Sequence, residues 1–169
     1  MEKPMPEIRT YRFEDDDVIP NNPQLPVVVY IGAMAERPGE MESVFNRNNW
    51  RNSWINGVFG YHHYHSNAHE VLGVVSGSAV LQLGGDEGEK IGVHGGDVLV
   101  LPAGTGHKRL TSSVDFSVAG AYPDGMDYNL NTGAAGERPR ALEEIARVPL
   151  PETDPLYGED GPLLNIWKR

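Results

Sequence analysis

Apolar positions along this chain follow two different periods. From residue 58 onward they form short runs at 58–65, 69–75, 78–83, 90–94, 97–101, 107–111 and 114–121, rich in β-branched and aromatic residues. Gly77, Gly84-Gly85, Gly88 and Gly95-Gly96 punctuate these runs. Strands of that length, turned every eight to twelve residues or about that without intervening helices, predict an antiparallel sandwich or barrel and exclude a doubly wound α/β fold. An earlier β-branched run at 25–31 ends at Gly32. Helical spacing occurs twice: residues 39–49 set Met41, Val44 and Phe45 on one face, and residues 139–147 set Leu142, Ile145 and Ala146 on one face. Several strands are apolar on both sides, with Leu72 and Val74 on one face and Val71 and Val75 on the other. The outer face therefore needs a cover, which the 27–31 run, the two helices or a second subunit could supply.

Glycine and proline divide the chain. Residues 57–106 hold 12 of the 20 glycines, whereas five of the 13 prolines fall in residues 1–26 and five more in residues 139–169. Proline discourages both helix continuation and strand pairing, so those two regions read as arms or covers. The expected organisation is an N-terminal arm at 1–26, a barrel at 27–122 with a short helix at about 39–49, and a C-terminal segment at 123–169 whose helix packs on the barrel.

A chain of 169 residues fits one domain. Its formal charge of −10 makes phosphate backbones and anionic membrane surfaces poor partners, so neither nucleic acid nor membrane is expected. With no cysteine, disulfides, thiolate metal ligands, iron–sulfur clusters and cysteine nucleophiles are excluded. Neither a signal-peptide pattern at the N-terminus nor an apolar run of roughly 20 residues is present, which implies a cytoplasmic protein.

The chemistry concentrates in Tyr61-His62-His63-Tyr64-His65-Ser66-Asn67-Ala68-His69-Glu70, which holds four of the six histidines. On a strand, His63 and His65 share one face while His62 and Tyr64 share the other. A turn through Ser66, Asn67 and Ala68 would bring Glu70 back beside them. Two imidazoles and one carboxylate form a facial triad for a divalent first-row metal, and His107 becomes a fourth ligand if the sheet folds over.

These spacings resemble the cupins, small jelly-roll barrels. The first cupin motif is matched by Gly57, five residues, His63-Tyr64-His65, four residues, Glu70, six residues and Gly77. The second is matched by Gly96, five residues, Pro102-Ala103-Gly104, two residues and His107, with Thr111 standing where the motif has asparagine. The wording around these motifs is similar to a group of small single-domain bacterial cupins that carry no assigned activity. The resemblance implies an all-β, cupin-type jelly roll with a few short helices. It implies one divalent metal per chain (iron, manganese, nickel, cobalt or zinc) on His63, His65, Glu70 and His107, and a homodimer.

Other residues admit functional and ordinary readings. Arg109 shares its parity with His107 and Thr111, so it is expected to point into the barrel as a clamp for a carboxylate or phosphate, or else to form a structural ion pair. Phe59 and Tyr61 share the parity of His63 and would line the deeper pocket as substrate contacts or plain filling. His69 is expected at the surface or behind the ligands; His62 and His94 are expected in solvent. Trp50 and Trp54 would form either a lid or ordinary packing. The leading functional expectation is a metal-dependent enzyme, dioxygenase- or isomerase-like, acting on a small anionic organic molecule. The alternative is a non-catalytic metal-dependent binding or sensing module.

Overall fold

A computed structural model describes residues 5–169. Nine strands form two antiparallel sheets: β1 (Glu7–Tyr11), β2 (Val27–Ile31), β3 (Trp50–Asn56), β4 (Glu70–Ser76), β5 (Ser78–Leu83), β6 (Glu89–His94), β7 (Val98–Leu101), β8 (His107–Ser112) and β9 (Ser117–Pro123). The larger sheet has the order β1-β2-β7-β4-β9-β3, and the smaller has the order β6-β5-β8. This is the antiparallel barrel that the strand spacing predicts, in the jelly-roll form that the resemblance implies. Three short helices complete the chain: α1 (Met41–Arg47), α2 (Arg140–Arg147) and α3 (Leu163–Ile166).

Alternation along the central strands builds two cores, one on each side of the larger sheet. Val27, Val29, Leu72, Val74, Leu99 and Leu101 point between the sheets, where they meet Leu81 and Leu83 of β5. Val28, Tyr30, Val71, Val98 and Val100 point the other way, against Met41 and Phe45 of α1 and Leu163 and Trp167 at the C-terminus. These strands are apolar on both faces because both faces are covered. The cover belongs to this chain, which answers the expectation that a second subunit might be needed there. The C-terminal segment is stitched on by polar pins: the Trp50 indole donates to the Thr153 carbonyl at 3.0 Å, Trp167 donates to the Pro26 carbonyl at 2.7 Å, and the Tyr30 hydroxyl donates to buried Asp154.

Several local expectations are corrected. Residues 58–65 do not form a regular strand. The Arg109 N–H donates to the Phe59 carbonyl and His63 exchanges two bonds with His107, so four steps on one side span two on β8, and residues 60–62 loop out. The strand before the first motif lies instead at 50–56, and the N-terminal arm contributes β1 as an edge strand on β2. The expected run at 114–121 begins only at Ser117, because Val114 is fully exposed. On α2 the buried face is Ala141 and Ile145, one step from the expected stripe, and Leu142 and Ala146 are exposed.

Close approach at one glycine sets how tightly α1 seats on β4. A Cβ added at Gly73 would lie 2.2 Å from Met41 Sδ and 2.9 Å from Phe45 Cζ. Gly73→Val should therefore overpack a filled core and destabilise the protein by roughly 1–3 kcal/mol, lowering its Tm by several degrees. An unchanged melting curve would show that α1 is not held against β4 in solution.

Candidate metal centre

Glu70 opens β4 and faces the space between the sheets, on the same side as Leu72 and Val74. His107 opens β8, and the His63–His107 bridge pins the histidine segment across it. His65 Nε2 lies 3.3 Å from Glu70 Oε2, and His107 Nε2 lies 3.4 Å from Glu70 Oε1. The ligand atoms of His65, Glu70 and His107 fall within 4.8 Å of one another, and all three residues are buried. His63 sits beside this group rather than within it: its ring centroid is 4.0 Å from that of His107 and 6.2 Å from that of His65.

The orientation of the rings is set from behind. His63 Nδ1 donates to the Tyr61 carbonyl at 3.0 Å, His107 Nδ1 donates to the Thr105 carbonyl at 3.0 Å, and His65 Nδ1 donates to the Asn129 carbonyl. A carbonyl only accepts, so each Nδ1 carries the proton and each Nε2 keeps its lone pair. Backbone carbonyls behind imidazoles are the usual outer shell of a metal site. Glu70 Oε2 accepts from the Tyr122 hydroxyl at 2.6 Å, whereas Oε1 is buried with no hydrogen-bond partner. An unpaired, buried carboxylate oxygen beside free imidazole nitrogens fits a bound cation.

At His63 and Glu70 the electrostatics agree with that arrangement, whereas at His65 they favour a proton whose place a bound cation would take. Burial and then the neighbouring His107 push His63 down to about 3, so it stays neutral and able to coordinate. Burial also opposes charge on Glu70, but His65 and His107 outweigh it and hold the carboxyl below its usual range. At His65 burial lowers the pKa, and Glu70 more than reverses this.

The group opens into a cavity of about 490 Å³ walled by Trp54, Val58, Phe59, Leu72, Tyr122, Tyr128 and Leu130. Phe59 is 50% exposed and Tyr61 is 45% exposed; they stack on each other with centroids 5.0 Å apart. Both therefore sit at the mouth rather than in the deeper pocket, and Phe59 alone of the two lines the cavity.

Arg109 does not enter the cavity. It is exposed, and its Nη2 lies 3.3 Å from the position a Cβ on Gly60 would occupy, so the guanidinium runs past Gly60 to solvent. Residues 59–63 cover the far edge of β8 here, and the guanidinium passes over Gly60, which has no side chain to block it, so the long cationic side chain escapes desolvation. The parity that links Arg109 to His107 holds, since Leu83 faces His107 and Leu81 faces Arg109; a register shift beyond it separates Thr111, which faces Val80 and is exposed.

Three contributors to the site carry no motif. Trp54 lines the cavity and donates to the Tyr122 hydroxyl at 2.9 Å, whereas Trp50 is buried in the other core. Tyr128 stacks on Tyr122 with centroids 4.1 Å apart, and Asn129 supplies the carbonyl behind His65. Tyr122 and Tyr128 are signalled only by the aromatic content of 122–128, Trp54 only as lid or packing, and nothing local marks Asn129. His62 is mostly covered and pairs with Asp86 at 2.8 Å, contrary to the expectation of solvent exposure. His94 is exposed, at Asp97. His69 is fully buried behind the sheet, accepting from the Ala103 N–H at 2.9 Å, donating to the Pro149 carbonyl at 3.2 Å and packing on Trp167.

A jelly roll with two motif histidines and the motif glutamate converging at its mouth is a cupin barrel, and this chain is one. No protein-family model matches it. It is 49% identical over 161 residues to the uncharacterized protein YjlB of Bacillus subtilis (strain 168), covering 95% of this chain and 97% of that protein, and it belongs to the YjlB family. Similar solved structures include an acireductone dioxygenase from Bacillus anthracis with cadmium in its active centre, at 20% identity and TM-score 0.39, covering 56% of this chain and 63% of that one. Another is a vicilin from Solanum lycopersicum, at 16% identity and TM-score 0.41, covering 75% of this chain and 36% of that one. Neither likeness bears on substrate or reaction.

Because burial holds His69 down to about 3 from the usual 6.5, the unfolded chain binds a proton below pH 6.5 that the folded chain refuses. The stability tied to His69 is therefore complete above pH 6.5 and drains away as the pH falls toward 3, by on the order of 2 kcal/mol at pH 5. Urea unfolding at pH 7.5 and pH 5 should show this loss together with the one tied to His63, and His69→Gln should remove only the His69 share. An identical pH dependence in the variant would place the titration elsewhere.

Proposed function

We propose that this chain is a metal-dependent enzyme that holds one divalent first-row ion on His63, His65, Glu70 and His107 and acts on a small organic molecule in the adjoining cavity. The observation that carries the reading is the hydrogen-bond pattern. Three imidazoles have Nδ1 tied back and Nε2 free; those of His65 and His107 face Glu70, whose Oε1 is buried without a partner, and His63 stands beside them. Imidazole and carboxylate donors suit iron, manganese, nickel, cobalt and zinc alike. Such an ion supplies Lewis acidity, and iron adds dioxygen chemistry, so dioxygenase-like and isomerase-like reactions both fit.

The chain's own residues supply the remainder. Aromatic and aliphatic walls exclude water and hold an apolar body, with Phe59, Tyr128 and Leu130 at the opening. Among the lining residues there is no lysine or arginine, so a carboxylate on the substrate would be matched by the ion and not by a side chain. The same list offers no histidine or acid beyond the four ligands to move a proton. That absence favours the second reading, a metal-dependent binding or sensing module.

The quaternary proposal is a homodimer in the cytoplasm. Its support is the open edges of the larger sheet at β1 and β3, since the outer face already has a cover. No helix of the described residues is long and apolar enough to cross a membrane. Sedimentation at micromolar concentration should give twice the chain mass; a monomer would contradict the dimer.

Elemental analysis of protein from its native host should find close to one divalent ion per chain, with ligand distances of roughly 2.0–2.2 Å once a loaded structure is determined. His65→Ala and Glu70→Ala should each abolish loading. A wild-type chain that stays empty after reconstitution with each of the five ions would sink the metal reading. Dioxygen uptake by the iron form with small carboxylates then separates enzyme from binding module.

A further inference from the structure

We infer that Trp54 and Tyr122 are a positioning pair that fixes Glu70 as a one-oxygen metal ligand; the inference rests on the metal reading above. A tyrosine hydroxyl has one proton to give and lone pairs to receive. The Trp54 Nε1–H, a group that can only donate, occupies the Tyr122 oxygen at 2.9 Å. The hydroxyl proton is thereby committed to Glu70 Oε2, 2.6 Å away. Oε2 is engaged, and Oε1, on the His107 side, is the oxygen left without a partner. Such a chain of bonds polarises each member, which sharpens the difference between the two oxygens.

The backbone is shaped to make this contact. Trp50 and Trp54 are four residues apart, so on a regular strand both would face the same way. A register shift between Arg51 and Trp54, with Asn52 at φ 57°, inserts one extra residue and turns Trp54 to the opposite face, into the cavity. There the indole lies flat over Gly120, where a Cβ would come within 2.3 Å of it. On β9, Gly120 and Tyr122 are two residues apart and share the inner face, and the β4–β9 register runs Leu72 to Gly120 and Val71 to Ala121. The next step along that ladder sets Tyr122 beside Glu70. Bulge, glycine and register thus serve one hydrogen-bond chain. Tyr122 also stacks on Tyr128, so its ring orientation is held independently of its hydroxyl.

Cobalt(II) titration of the full-length chain tests the pair, because cobalt reports both affinity and ligand arrangement through its visible absorption. Tyr122→Phe keeps the ring and its stacking and should weaken cobalt binding about 10- to 100-fold, the range for losing a group that orients a metal ligand, while shifting the visible bands. Trp54→Phe should shift the same bands in the same direction with a smaller loss of affinity. If Tyr122→Phe fails to fold, Trp54→Phe decides alone. Variants that melt at a lower temperature yet bind cobalt with wild-type affinity and spectrum would overturn the inference and leave the two residues as packing. A wild-type chain that binds neither cobalt nor any of the other four ions would overturn the metal reading and this inference together, whereas a wild-type chain that binds and variants that do not differ from it would overturn only the positioning role.

Discussion

A carboxylate that is 2% exposed between two sheets of aliphatic side chains is the least comfortable group in this barrel, and much of the structure is arranged around it. Removing an unpaired carboxylate from water costs several kcal/mol, which no amount of neighbouring leucine offsets. Glu70 Oε2 accepts from the Tyr122 hydroxyl, and His65 and His107 face the carboxylate at 3.3 and 3.4 Å, which holds its pKa below the usual range. Those neighbours come from three different places in the chain, so they surround the carboxylate only when β4, β8 and β9 are in their native register. The site and the closure of the barrel are thus one condition, and a slip of one residue on β4 would bury Val71 where Glu70 stands and expose the charge to the second core.

The sequence was legible where local rules and tertiary demands coincide. Glycine-separated runs on β4 through β8 emerged as strands because their residues have the right propensity; β4 and β7 are also covered on both faces, whereas β6 and β8 leave one face to solvent. The convergence of His65, Glu70 and His107 was legible because Glu70 and His107 begin strands and the two cupin motifs fix the spacing around them. Legibility failed wherever a bulge intervened. Trp50-Arg51-Asn52-Ser53-Trp54-Ile55-Asn56 has no simple alternation because an extra residue flips the pattern midway, so β3 was invisible and Trp54 could not be distinguished from Trp50. The same device misled in the opposite direction at 58–65, where the alternation looks regular and the pairing slips by two residues at 60–62. Arg109 fails for a different reason. Its backbone faces inward opposite Leu81, yet the guanidinium passes over Gly60 and reaches water.

The carbonyls that orient the three imidazoles belong to Tyr61, Thr105 and Asn129, none of which lies in a strand. Strands place the ligands within reach of one another, but loops decide which nitrogen each ring presents. This division gives residues 123–169, which looked like a cover, a direct share in the site. Asn129 is held by Ser66 and Asn67 beside the ligands, Asn131 pairs with Tyr64, and Glu137 accepts from the Tyr64 hydroxyl. The side chain of Tyr128, between these anchors, forms the cavity wall against Tyr122. Any movement of this segment that widens the mouth must also pull on the carbonyl behind His65, so access to the cavity and the set of the His65 ring are mechanically joined. A barrel built from the two motifs alone would possess the donors without the means to aim them.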